Sequence, residues 1–149
     1  MAMNFSEAKD YINSLDLTHI KKRVQKEKGW SPRMAEVAAK FYRNFLILCK
    51  KHEDVAFSPT QQIDEIWHAH ILYTKEYHEM SEKVFGKYLH HQPFHEEDSK
   101  ENSQEENHIQ LLQRFHQEEF GEPIYDTVYS VGDLFSEISS LFKCLKKAR

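Results

Sequence analysis

Six of the ten histidines, His68, His70, His78, His90, His91 and His95, fall between positions 68 and 95, and the chemistry such a cluster serves best is metal ligation. Neutral imidazole is a common ligand for zinc, iron, copper and nickel, usually with a carboxylate beside it. Asp64 stands four residues before His68, so on a helix the two share a face and can grip one ion, or pair as ligand and orienting partner. His68 and His70 are two residues apart, about 200° around a helix of 3.6 residues per turn. Both reach one ion only if the helix ends there, so His70 is either a third ligand or a structural hydrogen bonder beneath the site. His90 and His91 lie between Gly86 and Pro93, and neighbouring side chains on extended backbone point opposite ways. One of the pair is therefore expected over the Asp64 and His68 face, and the other is not. The expected metal ligands are drawn from Asp64, His68, His70, His90 and His91, with zinc or iron as the ion. Trp67, Thr74 and Tyr77 are expected around them as pocket walls or supports. The alternatives are buried structural histidines or metal-free acid–base groups.

Competing motifs are weaker. His78-Glu79 is followed by Met80, Ser81 and Glu82, so no second histidine completes a zincin helix. A chain of 149 residues is too short for the barrel in which His-x-His serves amidohydrolases. No glycine-rich phosphate loop, Cys-x-x-Cys pair or nucleophile elbow occurs. The acidic run from His95 towards Glu106 reads as a solvated face.

The elements that must hold these residues are helices. Ser6 is placed to cap a helix reaching about Leu15, and a second runs from Leu17 to Gly29. Ser31-Pro32 opens a third, with Met34, Val37, Ala38, Phe41, Tyr42, Phe45, Leu46 and Cys49 at three- and four-residue spacing, which predicts the main core helix. Ser58-Pro59 repeats the start signal for a helix through Ile63, Ile66 and Trp67, Thr74 is placed to cap the next, and Gly86 to stop it. Glu105 to Phe120 predicts another helix, and Leu134, Phe135, Ile138, Leu141, Phe142 and Leu145 a final amphipathic one over about 132–147. The expectation is an all-α, compact multi-helix single domain over 1–149. Its motif core spans 58–95 and includes an ordered His-rich loop, followed by a mobile acidic loop at about 95–106.

Composition bounds the partners. Hydrophobic residues are 40% and aromatics 13%, enough for a core without staples. The formal charge is -4 with no basic stripe, so nucleic acid is not expected. No apolar run is long enough for a membrane span, and no secretory leader opens the chain. Two isolated cysteines, Cys49 and Cys144, fit a reducing compartment, hence a cytoplasmic location.

The run from Asp64 through Trp67, His68, His70 and Tyr77, then Gly86 and His90-His91-Gln92-Pro93, resembles the glycine-rich domain-containing protein-like family. The resemblance covers about 64 to 93 closely and the helices from Ser31 to Gly121 more loosely. It implies a stand-alone bacterial-type member with a site at Asp64, Trp67, His68, His70, Tyr77, Gly86 and the His90/His91 pair, and with no assigned reaction. Ser81 stands where that family often has a cysteine, which removes a thiolate from the ligand set. With only four glycines the chain also lacks the glycine-rich tail, so the functions of that tail do not transfer.

Two functions compete. In the first, the chain is a metal-binding domain, and it acts as a small metal-dependent enzyme if three protein ligands leave a position open to water. In the second, it is a metal-free protein-interaction module with structural histidines, whose partner docks on a groove or on the C-terminal helix. The partner is accordingly a small molecule or another protein.

Overall fold

Two helices of this chain open on a side chain that accepts a free N–H, at Asn4 and Ser31, and two close on a left-handed glycine, at Gly29 and Gly86. In a computed structural model, which describes residues 1–91 and 102–125, six helices follow in order: α1 (Phe5–Ser14), α2 (Thr18–Lys28), α3 (Pro32–Lys51), α4 (Gln61–Leu72), α5 (Thr74–Phe85) and α6 (Asn102–Phe120). Among the described residues there is no strand, and the fold is all-α. The helix expected over 132–147 and most of the acidic loop expected at 95–106 lie outside the described residues, although α6 begins within that loop, at Asn102.

The first helix starts earlier than Ser6 suggests. Asn4 Oδ1 accepts the Glu7 N–H and Glu7 Oε2 accepts the Asn4 N–H, both at 3.0 Å, closing a capping box. Asn4 has Glu three residues on where Ser6 has Lys9, which cannot accept, so the box forms at Asn4. Ser31 Oγ accepts the Met34 N–H at 3.1 Å with Pro32 in the first helical position, as the sequence predicts.

Helix α3 is the centre of the molecule. It packs against α1, α2, α4 and α6, and its buried residues include Val37, Ala38, Phe41, Tyr42, Phe45, Leu46, Ile47 and Leu48. Side chains of the size of Leu46 or Phe41 each stabilise the fold by about 1.5–3 kcal/mol when wholly buried. Alanines at 35, 38 and 39 are wholly buried and let neighbouring backbones approach.

Helix α4 lies between α2, α3 and α5. It begins at Gln61, two residues later than Ser58-Pro59 predicts, with Thr60 extended before it and making no capping bond. That start leaves Asp64 in the first turn, where the helix dipole favours a carboxylate. The break between α4 and α5 is one residue: the Tyr73 N–H donates to His70 O at 3.0 Å, and α5 begins at once. Thr74 is thus the first exposed residue of α5 and not its cap. Gly86 ends α5 in the left-handed region at φ +69, and the chain then runs without helix to His91.

Candidate metal centre

Spacing alone puts Asp64 and His68 on one face of α4, and they meet there: His68 Nε2 is 3.5 Å from Asp64 Oδ2. The third member arrives from the segment after Gly86. His91 Nε2 lies 2.6 Å from Asp64 Oδ1, and its ring sits 4.5 Å from that of His68 between centroids. Asp64, His68 and His91 each offer one ligand atom, and these atoms all lie within 4.8 Å of one another. Among the described residues no fourth histidine, cysteine or carboxylate joins the group. The side chain of His91 is 9% exposed, Asp64 31% and His68 48%, so the group has a buried floor and an edge open to solvent.

The donor set suits an ion. Ligand atoms held at roughly 2.0–2.2 Å from a metal are separated by roughly 3–3.5 Å, close to the His68–Asp64 distance. The Asp64–His91 contact is a hydrogen bond, shorter than that. A carboxylate only accepts, so His91 Nε2 carries the proton there. Binding an ion would open this contact by a few tenths of an ångström and remove the proton.

His91 is held from behind. Its ring packs against Trp67 with centroids 4.4 Å apart, and Trp67 Nε1 donates to the Tyr77 hydroxyl at 2.8 Å. That hydroxyl in turn donates to Leu89 O at 2.5 Å. Desolvation pushes the Tyr77 phenol up to about 12, against the opposing effect of the Trp67 N–H, so it stays a donor. Of the residues expected to support the site, Trp67 touches His91 and Tyr77 bonds to Trp67. Thr74 is exposed on the far side of the α4–α5 break.

The remaining histidines are placed elsewhere. His70 is buried and its Nδ1 shares a 2.7 Å hydrogen bond with the Tyr42 hydroxyl. Burial lowers its pKa to about 4, so the ring is neutral. The helix stays wound through His70, and the structure does not bring it to Asp64; of its two expected roles it takes the hydrogen bonder's. His90 is exposed and packs on Tyr88, with centroids 4.9 Å apart. His78 is exposed, also beside Tyr88, and His95 lies outside the described residues. Nothing in the spacing pointed to Tyr42 or to the Leu89 carbonyl, because both are reached only through tertiary packing.

A family model described as UCP032817-like matches residues 7–127. The chain belongs to that family. This corrects the resemblance to the glycine-rich domain-containing protein-like family, which is close only over about 64 to 93 and looser from Ser31 to Gly121, whereas the family model that matches most of the chain is a different one. No curated protein and no solved structure matches the chain.

Proposed function

We propose that the chain binds one divalent transition-metal ion, zinc or iron, through Asp64, His68 and His91, with solvent in the remaining positions. The observation that carries this reading is the convergence of two imidazoles and one carboxylate within 4.8 Å. Two histidines and a carboxylate with open positions are the ligand set of hydrolytic zinc centres and of non-haem iron(II) centres alike. In such a site the ion polarises a bound carbonyl or turns water into a nucleophile. The exposed edge at His68 is the side from which a small molecule would approach. Elemental analysis of protein purified without a histidine tag tests the reading. One equivalent of metal in the wild type and none in His68→Ala supports it, and a metal-free wild type that takes up no added zinc overturns it.

A second reading has one observation of its own. The Asp64–His91 hydrogen bond of 2.6 Å already gives each group a protein partner, as it would in a metal-free interaction module with structural histidines. The same titration separates the two.

Under either reading we place the chain in the cytoplasm, acting on a small molecule or a protein rather than on nucleic acid. Cys49 is a free thiol that burial pushes up to about 12, an unreactive state that a reducing compartment preserves. Among the described residues no helix is long and apolar enough to cross a membrane.

A further inference from the structure

His91 belongs to no helix, yet its ring must meet a carboxylate on α4. The segment that carries it leaves α5 at Gly86, and a free segment of that kind populates many conformations in which His91 is nowhere near Asp64. Tyr88 and Leu89 pack on the core, Tyr88 against the Tyr77 ring, and the described hydrogen bond to the backbone of residues 87–91 is made by one oxygen atom. Tyr77 is wholly buried on α5, and its hydroxyl is the acceptor for Trp67 Nε1–H at 2.8 Å and the donor to Leu89 O at 2.5 Å.

The direction of these bonds is not interchangeable. An indole N–H only donates and a backbone carbonyl only accepts, so the single hydroxyl proton is committed to Leu89, two residues before His91. Trp67 is the neighbour of His68 on α4 and the surface on which the His91 ring rests. One oxygen therefore ties the helix bearing Asp64 and His68 to the segment bearing His91.

We propose that Tyr77 is a positioning residue that sets His91 against Asp64 before any ion arrives. The proposal rests on the metal-binding reading for its consequence, since a preset ligand spares the ion the ordering of its own site. It does not need an ion to be tested.

The experiment compares full-length wild type with Tyr77→Phe, which keeps the ring and removes the oxygen. Val84→Ala serves as a reference that disturbs the wholly buried face of α5 without touching the hydroxyl. In metal-free protein, nuclear Overhauser contacts between the His91 ring and the Trp67 indole should be present in wild type and Val84→Ala and lost in Tyr77→Phe. Zinc titrated against a chelating indicator should bind Tyr77→Phe roughly 10–100-fold more weakly, the usual effect of removing a group that orients a ligand, and Val84→Ala as tightly as wild type. Retention in Tyr77→Phe of either the ring contacts or full zinc affinity overturns the proposal, as does an equal loss in Val84→Ala. Should Tyr77→Phe fail to fold, wild type alone decides: contacts already present without zinc support the proposal, and contacts that appear only on adding zinc overturn it. A wild type that binds no zinc sinks the metal reading, and the ring contacts then decide the role of Tyr77 by themselves.

Discussion

His91 Nε2 lies 2.6 Å from Asp64 Oδ1 across 27 residues of chain, whereas the adjacent His90 turns outward onto Tyr88. One imidazole of the pair is thus at the site and the other is not. Replacing His91 by Ala should weaken zinc binding by more than the roughly 10–100-fold that loss of an orienting group costs, because a ligand itself is removed. His90→Ala should leave affinity unchanged. Indicator titration of both variants checks this, and a larger effect at His90 than at His91 would contradict it. Uptake should also weaken in acid, since protons compete for the same nitrogens.

Burial gives His70 a pH signature. Its pKa is lowered from 6.5 to about 4, so between these values the unfolded chain binds a proton that the folded chain does not. Stability is then complete above 6.5 and is lost as the pH falls towards 4, by up to about 3 kcal/mol on the order-of-magnitude conversion of such a shift. His116, lowered by desolvation as well, acts in the same direction. Urea unfolding from pH 4 to 8 should show stability rising with pH across this window. His70→Gln should flatten the slope in part, leaving the contribution of His116. A flat wild-type profile would contradict the neutral, buried state of His70.

Some local signals are legible because their partners are local, whereas Ser6, Ser58-Pro59 and Thr74 are cap-type residues at which the helices do not start as expected. Ser31-Pro32 and Gly86 mark helix ends because the cap bond and the left-handed turn involve residues within one turn. Asp64 and His68 are legible for the same reason, being four apart on α4. His91 could be narrowed only to one of two, because the direction of the chain after Gly86 is set by Tyr77, Trp67 and Leu89, a relation that no periodicity encodes. The partner of His70 is Tyr42, 28 residues away on α3, so spacing could offer two roles for that ring and choose neither. The cap at Asn4 was missed although its Glu7 was in view, because Ser6 is also a common cap residue.

Two glycines with the same backbone angle should respond differently to alanine. Gly29 and Gly86 both have φ +69, but a Cβ on Gly29 meets nothing within 4 Å, whereas one on Gly86 comes within 3.1 Å of the Ala2 Cβ. Gly29→Ala should therefore cost only the left-handed conformation, about 1–2 kcal/mol. Gly86→Ala should cost more, because Ala2 is close to Met3, whose N–H donates to Lys83 O at 3.0 Å and holds the N-terminus in place. Chemical denaturation ranks the two, and equal losses would show that the N-terminus yields freely.

An ion that binds only the folded chain must stabilise it, and this separates the metal-binding reading from the metal-free one without assaying any reaction. Free zinc at a hundred times its dissociation constant should add about 2.7 kcal/mol. At roughly 2–4 °C per kcal/mol for a chain of this size, the melting temperature should rise by about 5–10 °C. Asp64→Asn is the informative comparison. The amide oxygen can still accept the His91 Nε2–H that Asp64 accepts at 2.6 Å, so the local structure should hold, but the negative charge that favours the cation is gone. The variant should melt close to metal-free wild type and gain much less from zinc. If zinc shifts both proteins equally, the ion is bound elsewhere; if it shifts neither, Asp64, His68 and His91 form a hydrogen-bonded structural group and the metal-free module is the correct reading.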